Sequence, residues 1–451
     1  MVDFEKTFIV IVVGLVVLLP LITNVYWGLF IIIITQPIFV ASWEGSSIGV
    51  SKVIYGVLFS VWFIVWILSY LAGTKNERNL FIFPVTAPTF ALGIVLGLAI
   101  LNGLVNGASL DEIGRDLSSY LGYLALLPVL CIVRKPEQAR KVLLLLVLVG
   151  LPAFVLSQLV WIGRKQDLAS ASLPYFPAAT AYWEPIQGTL WAIAISHKDN
   201  GKKIAAWGWI CITSLIIVLG GYRTYFIALC LAGATAFLGG GKLSRDSMAK
   251  YLIPLFLSLI VGGLLADLAG LVKLPLSRIT RDRYATMLSS NNLKEDTSIQ
   301  GRVFETKILM EGFMQNPFLG IGFGHRIIRG ENKRVIGWLS FRPHNGYAEI
   351  LMKFGIFGTL VFGWYFMVIL RMAYRCMANG DTYFSKAVAL GVLIWLIPSF
   401  AISLAGSLFS DRGFSLTVGI MAGILPALAG QHIFQKDSIR AERIRVYAPQ
   451  A

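Results

Sequence analysis

Apolar residues fill long runs of this chain, and short polar stretches separate them. The runs fall at 8–22, 25–41, 53–71, 85–105, 120–133, 142–162, 178–196, 204–220, 224–238, 251–272, 347–373, 387–408 and 414–428. At about 15–25 residues each, they suit helices crossing a hydrocarbon core of ~30 Å. Helix is the required form, because lipid offers no partners to exposed backbone amides and carbonyls. The pattern predicts an all-α polytopic membrane protein with about twelve transmembrane helices, or about thirteen if every run crosses. Only Thr23-Asn24 separates the first two runs. They read as one broken crossing or a crossing plus a half-span, which leaves both termini on one side. The first run lacks a basic leader and a small-residue cleavage site, so it reads as a retained segment rather than a signal peptide.

One polar stretch, 273–345, is far longer than the others, and it separates the runs near 251–272 and 347–373. Within it Val303, Ile308, Leu309 and Phe313 recur at helical spacing, with Arg302, Glu305 and Lys307 between them. A helix is predicted there. It should end at Asn316-Pro317, since proline disfavours helical geometry in the residue before it. Gly320, Gly322 and Gly324 follow at alternate positions. Without a strand–turn–helix context this spacing does not read as a phosphate cradle, and close packing on the membrane core is expected instead. The stretch closes on His344-Asn345 at the mouth of the next run. The organisation is therefore 1–272 as N-terminal transmembrane helices, 273–345 as an extracytoplasmic, partly helical loop, 346–430 as C-terminal transmembrane helices and 431–451 as a basic tail.

Charge orients this arrangement. Basic residues gather in every second short loop: Lys75 and Arg78; Arg134, Lys135, Arg140 and Lys141; Lys198, Lys202 and Lys203; Lys242, Arg245 and Lys250; Arg371, Arg375 and Lys386; and the tail with Lys436, Arg440, Arg443 and Arg445. The positive-inside rule makes these cytoplasmic, and the long loop then faces out. The expected arrangement is multi-pass, with the C-terminus cytoplasmic. Composition agrees: 56% of the residues are hydrophobic and 14% charged, which excludes a soluble domain. The net charge of +15 is spread over loops rather than concentrated in a compact basic domain, so nucleic acid is not an expected partner. Cys131, Cys211, Cys230 and Cys376 lie in or beside apolar runs without metal or disulfide spacing, and read as small core hydrophobes. No His or carboxylate spacing indicates a metal, and no cofactor is expected.

Several polar groups share the outward face. Arg115 and Asp116 lie in an amphipathic loop segment, Glu184 lies about two turns into its run beside Pro185, and Arg223 opens the run after a tight Gly-Gly-Tyr turn. The long loop adds 12 basic and six acidic residues, among them Arg302 and Arg342. Taken singly, most loop arginines read as solvated surface, and an arginine at a helix end snorkels as readily as it binds. Their convergence with His344 carries the functional reading. Guanidinium forks match phosphate oxygens, and a diphosphate needs several donors at once. Imidazole is the side chain suited to take a proton near neutral pH.

These residues resemble the O-antigen ligase and O-antigen polymerase superfamily of bacterial envelope glycan assembly. The matching pieces are Arg223 opening a mid-chain run, the late outward loop, Gly301-Arg302 leading a helix into Asn316-Pro317, and His344 followed at Gly355 by a His-x10-Gly spacing. Ile227 stands where the ligase pattern has leucine. The resemblance implies a glycosyltransferase acting with inversion and without metal. Its donor is a glycan on undecaprenyl diphosphate, and its acceptor is a sugar hydroxyl on another lipid-linked repeat (polymerase) or on lipid A core (ligase). His344 then serves as the base or orients the acceptor. Arg223, Arg302, Arg115 and Arg342 contact the diphosphate, and Glu184 holds a sugar or an arginine. The resemblance also implies the bacterial inner membrane as the location, with the active face periplasmic, and the lipid bilayer and envelope-assembly proteins as further partners. Polymerase is preferred here. A lipid-linked glycan transporter or flippase is the competing class. It would favour paired broken helices and an internal repeat, and neither is evident: Pro88, Pro185 and Pro398 are not paired across halves.

Overall fold

The computed structural model describes residues 21, 23–40, 50–73, 85–166, 183–196, 199–219, 223–253, 297–324 and 343–429. These residues form helices and short connections, with no strand among them. In chain order the principal helices are α1 (Val25–Val40), α2 (Val50–Ala72), α3 (Thr86–Val105), α4 (Leu110–Tyr120), α5 (Leu126–Ile132), α6 (Pro136–Gln166), α7 (Trp183–Ser196), α8 (Asn200–Leu219), α9 (Arg223–Gly239), α10 (Gly241–Ser247), α11 (Thr297–Gln315), α12 (Gly346–Asn379), α13 (Tyr383–Ile402) and α14 (Arg412–Ala429).

Six of the described segments are long and apolar enough to cross a membrane: Ile54–Ala72, Thr86–Val105, Leu110–Ile132, Pro136–Leu156, Gly346–Asn379 and Tyr383–Ile402. Val25–Gln36, Thr224–Gly239 and Arg412–Leu428 are apolar but shorter. The protein is an all-α, multi-pass membrane protein. The sequence pattern predicted about twelve crossings. Most of the runs at 8–22 and 251–272, the stretch 325–342 and the tail from 431 lie outside the described residues.

One expected boundary moves. The run at 120–133 begins earlier, at Leu110, because α4 continues through a 3-10 turn at Leu121–Ala125 into α5. The segment holding Arg115 and Asp116 is therefore a buried helix and not a loop. Ser109 caps it: its hydroxyl accepts the Glu112 amide while the Glu112 carboxylate accepts the Ser109 amide. That reciprocal pairing starts the helix. Arg115, Asp116, Ser119 and Tyr120 are buried, and Asp116 and Tyr120 meet Lys353 and Glu349 of α12 there.

The core is assembled by close helix contacts. α13 packs on α7, α9 and α12, and α14 lies along the 3-10 turn and α5. Gly188 of α7 and Gly391 of α13 approach so closely that a Cβ on either would strike the other's carbonyl. Without a hydrophobic drive in lipid, such small-residue contact holds helices together through van der Waals packing. Aromatic rings fill the centre, where Tyr120, Tyr123, Phe354, Phe362, Tyr365 and Phe366 meet edge to face or tilted. Of the cysteines, Cys211 and Cys376 are buried as expected, Cys131 is half-buried, and Cys230 is exposed.

Candidate active site

The site is built on a break in α12. Gly355 sits at φ 64°, ψ −169°, inside an otherwise helical segment. Only glycine occupies that region at low cost. In an unbroken helix the Met352 and Lys353 carbonyls would accept from the Ile356 and Phe357 amides. At Gly355 both bonds are exchanged for bonds to the loop 316–324. Ile321 N–H donates to Met352 O at 2.9 Å and Gly322 N–H to Lys353 O at 3.1 Å. In return, Ile356 N–H donates to Pro317 O at 2.8 Å and Phe357 N–H to Phe318 O at 3.2 Å. None of these four backbone groups is orphaned, although an unsatisfied buried amide or carbonyl would cost about 1–3 kcal/mol.

The glycines of the loop do what their spacing predicted. Gly322 lies against the backbone of Ala99, Asn102 and Gly103 in α3. Phe323 N–H donates to Ala99 O, and the Asn102 and Asn106 amides donate to the carbonyls of Gly320 and Ile321. The loop is thus laced between α3 and the break in α12. They form no phosphate cradle there: the main-chain amides of Ile321, Gly322 and Phe323 are spent on backbone carbonyls, and that of Gly324 on the Asp116 carboxylate.

This lacing places α11, which runs over Thr297–Gln315 and ends before Asn316-Pro317, as its sequence predicted. Leu309 of α11 packs with Ile321, Ala348 and Met352. One turn earlier, Glu305 and Thr306 reach the start of α12. Glu305 Oε2 accepts from the His344 amide at 3.1 Å and lies 2.8 Å from His344 Nδ1. Asn345 caps α12 by accepting the Ala348 amide, and its Nδ2 donates to Thr306 Oγ1 at 3.3 Å. His344 and Gly355 bracket the stub 346–354, so the His-x10-Gly spacing is the distance between a docked N-terminus and a helix break.

Electrostatics favour an ionised Glu305. Partial burial pushes its carboxyl up, but the side-chain and backbone bonds from His344, with the charges of His344 and Arg302, hold it below the usual glutamate range. Arg302 lies one turn from Glu305 on α11. Its guanidinium is half-buried, and its Nε has no hydrogen-bond acceptor among the described residues. The His344 side chain is 52% exposed, which leaves the ring reachable.

Behind this face lies a buried ionic cluster. Lys353 Nζ is 2.7 Å from Glu349 Oε1 and 3.2 Å from Asp116 Oδ1. Ser410 donates to Glu349 Oε2 and Gly324 N–H to Asp116 Oδ2. The cluster ties α4, the glycine loop, α12 and the turn before α14 together. The sequence assigns no role to Glu349 or Lys353, although an acid and a base four apart within an apolar run are a visible signal. It also marks Glu305 only as one loop acid among six.

The other expected site residues are placed as follows. Arg115 is 8% exposed and pairs with Asp111 at 2.8 Å, and its carbonyl accepts from Ser118 and Arg412. Arg223 is the first residue of α9 and Glu184 the second of α7, and their side chains lie outside the described residues, as does Arg342. Among the described residues no group of three or more His, Cys, Asp or Glu is arranged to hold a metal ion.

Residues 209–363 match the family model described as O-antigen ligase. The match supports a likeness of this segment to the O-antigen ligase/polymerase superfamily. It runs from α8 to the middle of α12 and includes Arg223, Arg302, Glu305, His344 and Gly355, while Arg115 and Glu184 lie outside it. Superfamily members are membrane enzymes that act on polyprenyl-linked glycans. No curated protein matches the chain.

Proposed function

We propose that the protein transfers a glycan from undecaprenyl diphosphate to a sugar hydroxyl, with inversion and without a metal, and that it is a repeat-unit polymerase of the bacterial inner membrane working on the periplasmic face. The observation that supports this reading is the joint placement of His344 and Arg302 on one support: Glu305 binds His344, and Arg302 stands one turn away on the same helix.

The chemistry runs as a single displacement. His344 Nε2 takes the proton of the acceptor hydroxyl as its oxygen forms a bond to the anomeric carbon. The bond from that carbon to the diphosphate oxygen breaks from the opposite face, and the electron pair leaves with undecaprenyl diphosphate. Charge grows on the diphosphate in the transition state, and the guanidinium groups of Arg302 and Arg223 neutralise it from fixed positions. Arg342, Arg115 and Glu184 are secondary candidates for holding the donor, and the apolar helices accommodate the polyprenyl tail.

The ligase reading differs only in acceptor, lipid A core, and is favoured by the description of the matched family. Reconstitution of the purified protein with a lipid-diphosphate glycan tests both readings. Release of undecaprenyl diphosphate with a lengthening lipid-linked product is the polymerase result. Release only when lipid A core is added is the ligase result. Movement of the lipid-linked glycan across the vesicle wall without any new glycosidic bond would overturn the proposal in favour of a transporter.

A further inference from the structure

We infer that Glu305 is a positioning residue for His344: it receives the Nδ1 proton, fixes the neutral ring as the tautomer with Nε2 bare, and holds that nitrogen toward the acceptor hydroxyl. The inference rests on the proposed role of His344 as the base.

Three observations carry it. The first is that a single oxygen, Glu305 Oε2, takes both the His344 main-chain amide and the ring nitrogen, at 3.1 and 2.8 Å. The backbone and the ring tip are thereby fixed to one point, which removes both side-chain rotations of the histidine. The second is the lone-pair count. An ionised carboxylate can only accept, so Nδ1 must carry the hydrogen, and Nε2 becomes the nitrogen with a free lone pair. The third is the support behind the carboxylate. Leu309 packs α11 on Ala348 and Met352, and Asn345 bonds Thr306 next to Glu305. The carboxylate is therefore set by packing and not by a loose loop.

The arrangement also serves the transfer step. When Nε2 takes the hydroxyl proton the ring becomes an imidazolium, and the carboxylate at Nδ1 stabilises that charge without accepting the proton itself. The opposite tautomer would present an N–H to the acceptor and could take no proton. Loss of the carboxylate should therefore reduce the rate of the bound complex much more than donor affinity.

The test uses full-length protein reconstituted with the lipid-diphosphate glycan, comparing wild type, Glu305→Ala, Glu305→Gln, His344→Ala and the double variant Glu305→Ala/His344→Ala. Glu305→Ala should lower kcat by roughly 10²–10⁴-fold, with a much smaller change in donor KM. Glu305→Gln keeps the shape and an acceptor oxygen but not the charge, and should fall between wild type and alanine. Adding Glu305→Ala to His344→Ala should cost nothing further, since a positioning group has nothing left to position. Should the alanine variant fail to fold, the isosteric Gln variant carries the comparison. Wild-type kcat in Glu305→Gln and Glu305→Ala alongside an inactive His344→Ala would overturn the inference and leave the base assignment standing. An equal further loss in the double variant would also overturn it. Wild-type kcat in His344→Ala would instead sink the base assignment.

Discussion

Lys353 and Asp116, 237 positions apart in the chain, form an ion pair at 3.2 Å in which both side chains are almost wholly buried. Glu349 shares the same ammonium at 2.7 Å, so one cation serves two carboxylates. The other carboxylate oxygens are met by Ser410 and Gly324 N–H, and the Tyr120 hydroxyl donates to the same Glu349 oxygen that Lys353 holds. Removing the cation should therefore be severe. Lys353→Met leaves two buried carboxylates facing each other, and breaking such a cluster costs about 3–5 kcal/mol. Thermal unfolding in detergent should show a large fall in midpoint. The triple variant Lys353→Met/Asp116→Asn/Glu349→Gln, which removes all three charges, should recover much of it. If Lys353→Met alone melts like the wild type, the cluster is not a fastening.

Gly355 makes a second, backbone-level prediction. A Cβ there would strike the carbonyl of Phe318, and its φ of +64° is itself costly for any L side chain. Gly355→Ala should destabilise by at least about 1–3 kcal/mol for the conformation alone. It should also disturb the four exchanged hydrogen bonds that place α11. Activity should fall more steeply than that loss of fold, because the His344 support moves with the break. Normal turnover together with a normal melting midpoint in Gly355→Ala would contradict this account of the His-x10-Gly spacing.

What could be read from the chain follows from range. The helix over 303–313, its end at Asn316-Pro317 and the close packing of Gly322 are local consequences of residue type and spacing, and all were legible, but of the expected stripe only Leu309 is buried and Val303 is exposed. The start of α4 is not legible locally, because Asp116 and Ser118 look like loop residues until their partners are known. Those partners, Lys353, Arg412 and Gly324, are 208 or more positions away. The Glu305–His344 pair spans 39 positions, and no periodicity marks one loop acid above the other five. The break at Gly355 was hidden because apolar sequence continues on both sides of it, so hydropathy sees one helix.

The Glu305 carboxyl is held below its usual range, which sets a direction for acid sensitivity. A depressed folded-state value contributes stability that is present above the unfolded value and is lost as pH falls through the folded one. The docking of His344 on α11 should accordingly weaken only below the ordinary glutamate range. Hydrogen exchange of the His344 amide, corrected for its intrinsic pH dependence, should lose protection across that window. Glu305→Gln should show no such step. Protection that stays flat in the wild type through the window would remove the carboxylate from the account.

The proposed transfer neutralises its leaving group with guanidinium charge, so activity should persist in excess chelator. Purified protein assayed for released undecaprenyl diphosphate with and without a divalent-metal chelator gives the answer. A loss that added magnesium or manganese restores would contradict the metal-free mechanism.

Arg302 separates two roles that a single charge could play. If it only balances Glu305, any cation at that place would serve, and Arg302→Lys should behave like the wild type. If its planar fork grips the diphosphate, lysine cannot substitute, because an ammonium presents its donors from one point and not as a paired edge. The unpartnered Nε in the half-buried guanidinium favours the second role, since that donor has yet to meet an acceptor among the described residues. We expect Arg302→Lys to lose about two orders of magnitude in kcat/KM, equivalent to roughly 2.7 kcal/mol of transition-state stabilisation. Its melting midpoint should stay within a few degrees of the wild type. Arg223→Ala should lose as much or more. An Arg302→Lys variant with full turnover would reduce Arg302 to a charge partner of Glu305 and shift the diphosphate contact to Arg223 alone.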